Sequence, residues 1–206
     1  MAGCKVVDQT DVDGDGRTDA VGIVPQGLDQ VDEPGSVTVR VRTATDRLLT
    51  STSRGVWWYG KPAEVYSGSA AIDDRRGAEL VLGQAMGAHT LLYRVLAYRD
   101  GNLTTLQSPK APKRTGQSRD IDTWTVDGSF SFQVGIKRST SRGRVYVTVT
   151  SAERSTSGSS HSGWAVRYRR TSDGWKEVST KRVWYGTDEE ASKVGGWHVK
   201  GLPRFS

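Results

Sequence analysis

Apolar and polar residues alternate with a period of two along most of this chain. Residues 37–42 place Val37, Val39 and Val41 on one face of a strand and Thr38, Arg40 and Arg42 on the other. Residues 91–98, 130–134, 144–149 and 164–169 alternate in the same way. Asp-Gly pairs at 100–101, 127–128 and 173–174 mark turns between such runs. No run with a 3.6-residue period reaches ordinary helical length, and the best, residues 188–193, is short. The pattern predicts an all-β, antiparallel protein.

The strands also repeat. Val39 opens a strand, an Asp-centred turn at 45–48 follows, and a second strand ends in Val56-Trp57-Trp58-Tyr59-Gly60. Val166 opens the same sequence of events, which ends in Val183-Trp184-Tyr185-Gly186. A weaker copy runs from Tyr93 to Leu106. The spacing predicts one domain over residues 1–206, with repeat units near 8–60, 61–126 and 127–186 and a closing segment at 187–206. Two stretches read as loops: residues 107–119, polar and basic with two prolines, and residues 153–163, rich in Ser and expected to be disordered.

The densest candidate chemistry lies in residues 11–19. Asp11, Asp13, Asp15 and Asp19 fill positions 1, 3, 5 and 9 of this loop, with Gly14 and Gly16 between them. Four carboxylates this close repel one another, and a hard divalent cation removes the repulsion. Calcium accepts six to eight oxygen ligands, and the glycines permit the positive-φ turns that wrap a chain around an ion. The Arg17 carbonyl would supply the ligand at position 7. An Asp- and Gly-rich turn without an ion is the plainer alternative. Position 12 is Gly22, inside an apolar run, so the loop lacks the bidentate Glu of an EF-hand.

The pattern at Asp11 to Asp19, running directly into the strand from Ala20, resembles the FG-GAP/VCBS repeats. That resemblance implies four-stranded blades of the integrin-α propeller type, as in many secreted bacterial proteins, and here three blade-like repeats in a propeller-like or incomplete propeller arrangement. It implies a structural calcium and an extracellular setting. Residues 71–79 read as a degraded second copy, with Ala71 and Arg75 in two ligand positions, and are expected to hold no metal. Three blades leave open sheet edges, which favour a homo-oligomer unless charged side chains blunt them.

Composition narrows the function classes. At 206 residues with 35% hydrophobic content, the chain is long enough for a real core. No apolar stretch approaches the roughly 18 residues of a spanning helix. Cys4 is the only cysteine, which excludes an internal disulfide. Ala2-Gly3-Cys4 resembles the end of a bacterial lipobox, which implies a secreted protein or a membrane-anchored lipoprotein. The alternative is an ordinary free thiol.

Residues 1–108 carry 11 Lys and Arg against 14 Asp and Glu, a net of −3; residues 109–206 carry 18 against 9, a net of +9. The basic half is a candidate polyanion site, for a nucleic acid or a cell-wall polymer, through Arg142, Arg144, Arg167, Arg169, Arg170, Lys181 and Arg182. The competing explanation is that these cations blunt sheet edges and keep the protein soluble. Trp57, Trp58, Tyr59, Trp184 and Tyr185 are candidates for a ring platform that binds a glycan or protein, against the more usual role of such rings in a core. The three histidines share no metal-ligand spacing, no Gly-x-Ser-x-Gly elbow occurs, and paired acids such as Asp73-Asp74 and Asp120-x-Asp122 suit turns. The expectation is a non-catalytic binding module, with a hydrolase using an unrecognised constellation as the remaining alternative.

Overall fold

A computed structural model describes residues 4–30, 32–109 and 116–204. Ala2 and Gly3 of the lipobox-like triplet, and residues 110–115 of the basic loop, lie outside them. The chain is all-β among the described residues, with one short helix. It divides into two compact units. The first comprises residues up to 71, 75–86 and 92–106; the second comprises 72–74, 87–91 and the chain from 107 onward.

In the first unit, β1 (Lys5–Thr10), β2 (Asp19–Gln26), β3 (Gly35–Arg42) and β4 (Leu48–Val56) form an antiparallel sheet in chain order. The alternation at 37–42 does what it predicts: Val37, Val39 and Val41 are buried beside Val21 and Ile23. The strands β5 (Tyr66–Ala70), β6 (Glu79–Met86), β7 (Thr90–Arg99) and β8 (Asn102–Thr105) follow.

The hairpin β5–β6 copies the hairpin β1–β2. Thr10 pairs with Asp19 and Ala70 with Glu79; Gln9 pairs with Ala20 and Ser69 with Leu80. Both ladders slip at the same place, between Val6 and Asp8 and between Tyr66 and Gly68. The two copies are tied together. Asp8 accepts hydrogen bonds from Tyr66 Oη at 2.7 Å and Ser69 Oγ at 2.6 Å, and Ala78 N–H donates to the Asp11 carbonyl at 2.7 Å. In the second copy, Arg99 lies 3.4 Å from the buried carboxylate of Glu79.

The strands do not form three blades. The first four make one sheet, the remaining strands belong to a ten-stranded sheet, and neither closes on itself. The lengths of β7 and β8 account for this. Ten-residue β7 is covered by β8 only at residues 96–99. Its Thr90 end keeps open backbone groups, and a strand edge in that state accepts another strand. The strand β9 (Trp124–Gly128) takes that place, with Gly128 N–H donating to the His89 carbonyl at 3.2 Å.

The second unit continues as a meander of long strands: β10 (Phe132–Ser141), β11 (Arg144–Arg154), β12 (His161–Thr171) and β13 (Gly174–Tyr185). The helical pattern at 188–193 appears as α1 (Asp188–Ser192), where Thr187 Oγ1 accepts the Glu190 N–H at 3.2 Å. The strand β14 (Gly196–His198) then lies parallel to β10. The core of this unit combines Val134, Ile136, Val147, Val149 and Val166 with Trp124 and Trp197, whose ring centroids are 5.8 Å apart.

The Ser-rich stretch at 153–163 is shorter as a loop than expected. Residues 153–154 and 161–163 belong to strands, and the Ser155 N–H donates to the Ser160 carbonyl at 2.8 Å. His161 holds the far end of this turn. It is buried, and its ring nitrogens lie 3.1 Å from the Ser159 carbonyl and 3.3 Å from the Phe130 carbonyl.

Candidate polyanion-binding face and acidic loop

The register of β10–β13 decides where the cations of the basic half point. Residues directly opposite one another on neighbouring strands share a face. Lys137, Thr148, Arg167 and Ser179 form one such row across the four strands. Gly135, Thr150, Ala165 and Lys181 form the next row on the same face. Side chains two positions away along a strand join them, which adds Ser139, Ser141, Arg144, Tyr146 and Arg169. Lys176 pairs with Arg169 and completes the set. The opposite face carries the buried residues Val134, Ile136, Val147, Val149, Val166 and Tyr168.

The outward face therefore presents seven cations: Lys137, Arg144, Arg154, Arg167, Arg169, Lys176 and Lys181. Arg154 is paired with Asp188 of α1 at 3.0 Å, which leaves six. Hydroxyl side chains lie among them: Ser139, Ser141, Thr148, Thr150, Thr171 and Ser179. None of the residues on this face of β10–β13 is Asp or Glu. The acids of the strands, Glu153 and Glu177, pair with Ser162 and Tyr168 and so share the core face. The guanidinium of Arg167 lies 3.7 Å from the centroid of the Tyr146 ring, and its buried Nε has no hydrogen-bond partner among the described residues. A cation stacked in this way is held in place while its charge stays unneutralised.

The seven cations singled out from the sequence are thus divided. Arg144, Arg167, Arg169 and Lys181 share the outward face. Arg142 occupies the turn between β10 and β11 with φ of 49°. Arg170 and Arg182 point to the other face, where they lie over Trp175 at 5.6 Å and Trp164 at 5.1 Å. Lys137, Lys176 and Tyr146 were not anticipated. Lys137 follows buried Ile136, so alternation alone carries the signal for it. Lys176 carries no such signal, because a register shift opposite Arg167 and Tyr168 changes which face it takes.

The five candidate rings are scattered. Trp57, Trp58 and Tyr59 belong to the first unit, and Trp184 and Tyr185 to the second. Trp58 is 8% exposed and packs against Gly83, as a core ring does. Trp57 and Tyr59 are exposed. Trp184 is 67% exposed, but it and Tyr185 point to opposite faces of β13 and form no common surface.

In the acidic loop, Asp11, Asp13 and Asp15 place one carboxylate oxygen each within 4.8 Å of the others. Gly14 and Gly16 adopt φ of 80° and 87°. Asp11 accepts the N–H of Gly14 at 2.7 Å and of Gly16 at 2.9 Å, and Asp15 accepts the N–H and Nε of Arg17. Burial pushes the Asp13 carboxyl above its ordinary value, against a lowering hydrogen bond from the Asp15 N–H, and the charges of Asp19, Asp15 and Asp11 push it the same way as burial. This is the repulsion a cation would relieve.

Asp19 differs from the other three. It is 1% exposed, and its two oxygens accept the N–H groups of Val12 at 2.8 Å, Asp13 at 3.3 Å and Ala44 at 2.8 Å. Its carboxylate fixes the loop backbone and is not part of the acidic cluster. Asp11, Asp13 and Asp15 remain as the acidic cluster.

No protein-family model, curated protein or solved structure matches this chain.

Proposed function

We propose that this chain is a non-catalytic binding module of an extracellular or envelope setting, which engages a polyanion through the outward face of β10–β13. The observation that carries this reading is the acid-free row of Lys137, Arg144, Arg167, Arg169, Lys176 and Lys181. Surface cations that serve only solubility are usually interspersed with acids. The strands contribute six such cations and no acid to this face; the acids beside it belong to α1, where Asp188 and Glu189 are paired with Arg154 and Lys193. The excess of positive charge concentrates a polyanion.

Binding of a fluorescent polyanion, either a single-stranded DNA or a polyuronate, should weaken steeply as salt is raised. Each neutralised phosphate contributes about 0.9 to the slope of log affinity against log salt on duplex DNA and about 0.7 on single strands. The double substitution Arg167→Glu with Arg169→Glu should cut affinity by about 100-fold or more. Arg182→Glu, on the other face, should change it by less than about threefold. Anisotropy titration at several salt concentrations reads both; affinity that is flat with salt would remove the proposal.

The FG-GAP/VCBS resemblance enters this proposal through the loop at 11–19, where Asp11, Asp13, Asp15 and the Arg17 carbonyl would hold a structural calcium. A ligand that binds only the folded state adds about 2.7 kcal/mol at 100 times its dissociation constant. Calcium should therefore raise the thermal midpoint of the wild type, and chelator should reverse the rise. Asp13→Ala with Asp15→Ala should abolish the response. An equal effect of magnesium, or none from either ion, would argue for a simple turn.

A further inference from the structure

A cleft of about 250 Å³ opens on the cationic face itself, over Gly135 and Thr150 and beneath α1. Because Gly135 has no side chain, the floor of the cleft on β10 is backbone. The polar groups around it are Lys137, Thr150, Tyr185, Glu190, Lys193 and His198. Their roles are separable. Glu190 Oε2 accepts the Gly186 N–H at 2.8 Å, and Oε1 has no partner among the described residues. His198 Nε2 lies 2.9 Å from the Val194 carbonyl. A carbonyl only accepts, so Nε2 carries the proton and, in the neutral ring, Nδ1 is an acceptor. Burial raises the Tyr185 hydroxyl above its ordinary value and keeps it a donor. The Lys137 ammonium has no partner among the described residues, and Lys193 is held by Glu189 at 3.0 Å.

We propose that the polyanion is an acidic polysaccharide, and that one of its sugar residues occupies this cleft while the rest of the chain lies along the cationic face. The proposal rests on the polyanion reading above and gives it a ligand class. The decisive group is Glu190. A carboxylate in this cleft repels any anionic group, whether phosphate, sulfate or uronate, so the part of the ligand that enters must bring a hydrogen-bond donor, and a phosphodiester linkage has none. A sugar ring does: each hydroxyl both donates and accepts, so it satisfies Glu190 and His198 Nδ1 as well as Thr150, Tyr185 and Lys137. The volume suits one saccharide unit and falls below the roughly 300–1,000 Å³ of drug-sized sites.

The same face is poorly made for bases. Single-stranded nucleic acids are held by stacking on free aromatic faces. Tyr146 is covered by the Arg167 guanidinium, and Trp164 and Trp184 pair with residues of the opposite face. The hydroxyls of Ser139, Ser141, Thr148 and Ser179, set between cations, match a ligand that carries both hydroxyls and acid groups.

The test compares a hexuronate hexasaccharide with a single-stranded DNA of equal charge, by calorimetry at low salt. Glu190→Gln keeps an oxygen for the Gly186 N–H and replaces the free acceptor with a donor. It should weaken the hexasaccharide by at least about tenfold, the loss of one hydrogen bond to a charged group, and leave DNA unchanged or tighter. Lys137→Gln, a change at an exposed side chain, should also weaken the hexasaccharide and provides a second variant if Glu190→Gln does not fold. If both polymers bind and neither substitution separates them, the saccharide proposal is overturned while polyanion binding stands. If DNA binds and the hexasaccharide does not, it is overturned in favour of a nucleic acid. If neither binds at low salt, both proposals fail.

Discussion

Replacing Asp19 with alanine should lower the unfolding free energy by about 3–5 kcal/mol, whether or not calcium is present. The carboxylate is buried and accepts three backbone N–H groups, from Val12, Asp13 and Ala44. Leaving the buried Val12 N–H unpaired costs about 1–3 kcal/mol, and the part-buried donors of Asp13 and Ala44 add to it, less where water reaches them. Domains of this size are stable by about 5–15 kcal/mol, so the substitution removes a large fraction of the total. Asp19→Asn should cost less, because its carbonyl oxygen still accepts. Asp15→Ala, at an exposed position, should stay within about 0.5 kcal/mol in chelator. Urea denaturation in chelator measures all three. A near wild-type Asp19→Ala in chelator, combined with a lost calcium response, would make Asp19 a metal ligand and not the anchor of the loop.

Gly135→Ala should be similarly damaging, by about 3 kcal/mol or enough to prevent soluble accumulation. A methyl group at this position would lie 1.7 Å from the Val194 carbonyl oxygen and 2.8 Å from its carbon. Both are backbone atoms and cannot rotate aside. Gly135 is paired with Thr150 on one side and Gly196 on the other, so relief requires β14 to leave β10. Trp197, now 1% exposed, would leave with it. The tryptophan emission of any folded Gly135→Ala protein should shift to the red. Gly158→Ala has nothing within 4 Å and serves as the control with no expected change. An unchanged midpoint and emission for Gly135→Ala would show that the chain end does not pack against β10.

The strands were legible because burial of one face forces alternation, and Val37, Val39 and Val41 show it at once. The acidic loop and its two positive-φ glycines were also legible, since like charges at fixed spacing and a wrapped backbone depend on neighbouring residues alone. The role of Asp19 was not. Its spacing is that of a fourth ligand, yet one of its oxygens accepts Ala44 N–H from the turn after β3, 25 residues away. Nothing local distinguishes these two uses of a carboxylate. Similarly, the repeat at Trp57-Trp58-Tyr59 and Trp184-Tyr185 was visible, whereas the burial of Trp58 depends on Gly83 across the fold.

The sequence by itself determined the all-β class, the degraded copy of the 11–19 loop at residues 71–79, and the excess of cations in the second half. These follow from local periodicity and composition. The tertiary structure alone decided that the repeats do not close into separate blades, because β8 is too short to cover β7. It alone placed Lys176 beside Arg169, because one register shift between β12 and β13 exchanges faces along the rest of a strand. It also brought Glu190 and His198 over Gly135, and so made a cleft out of residues more than 50 positions apart. Pairing between distant strands sets these features, and no local pattern encodes it.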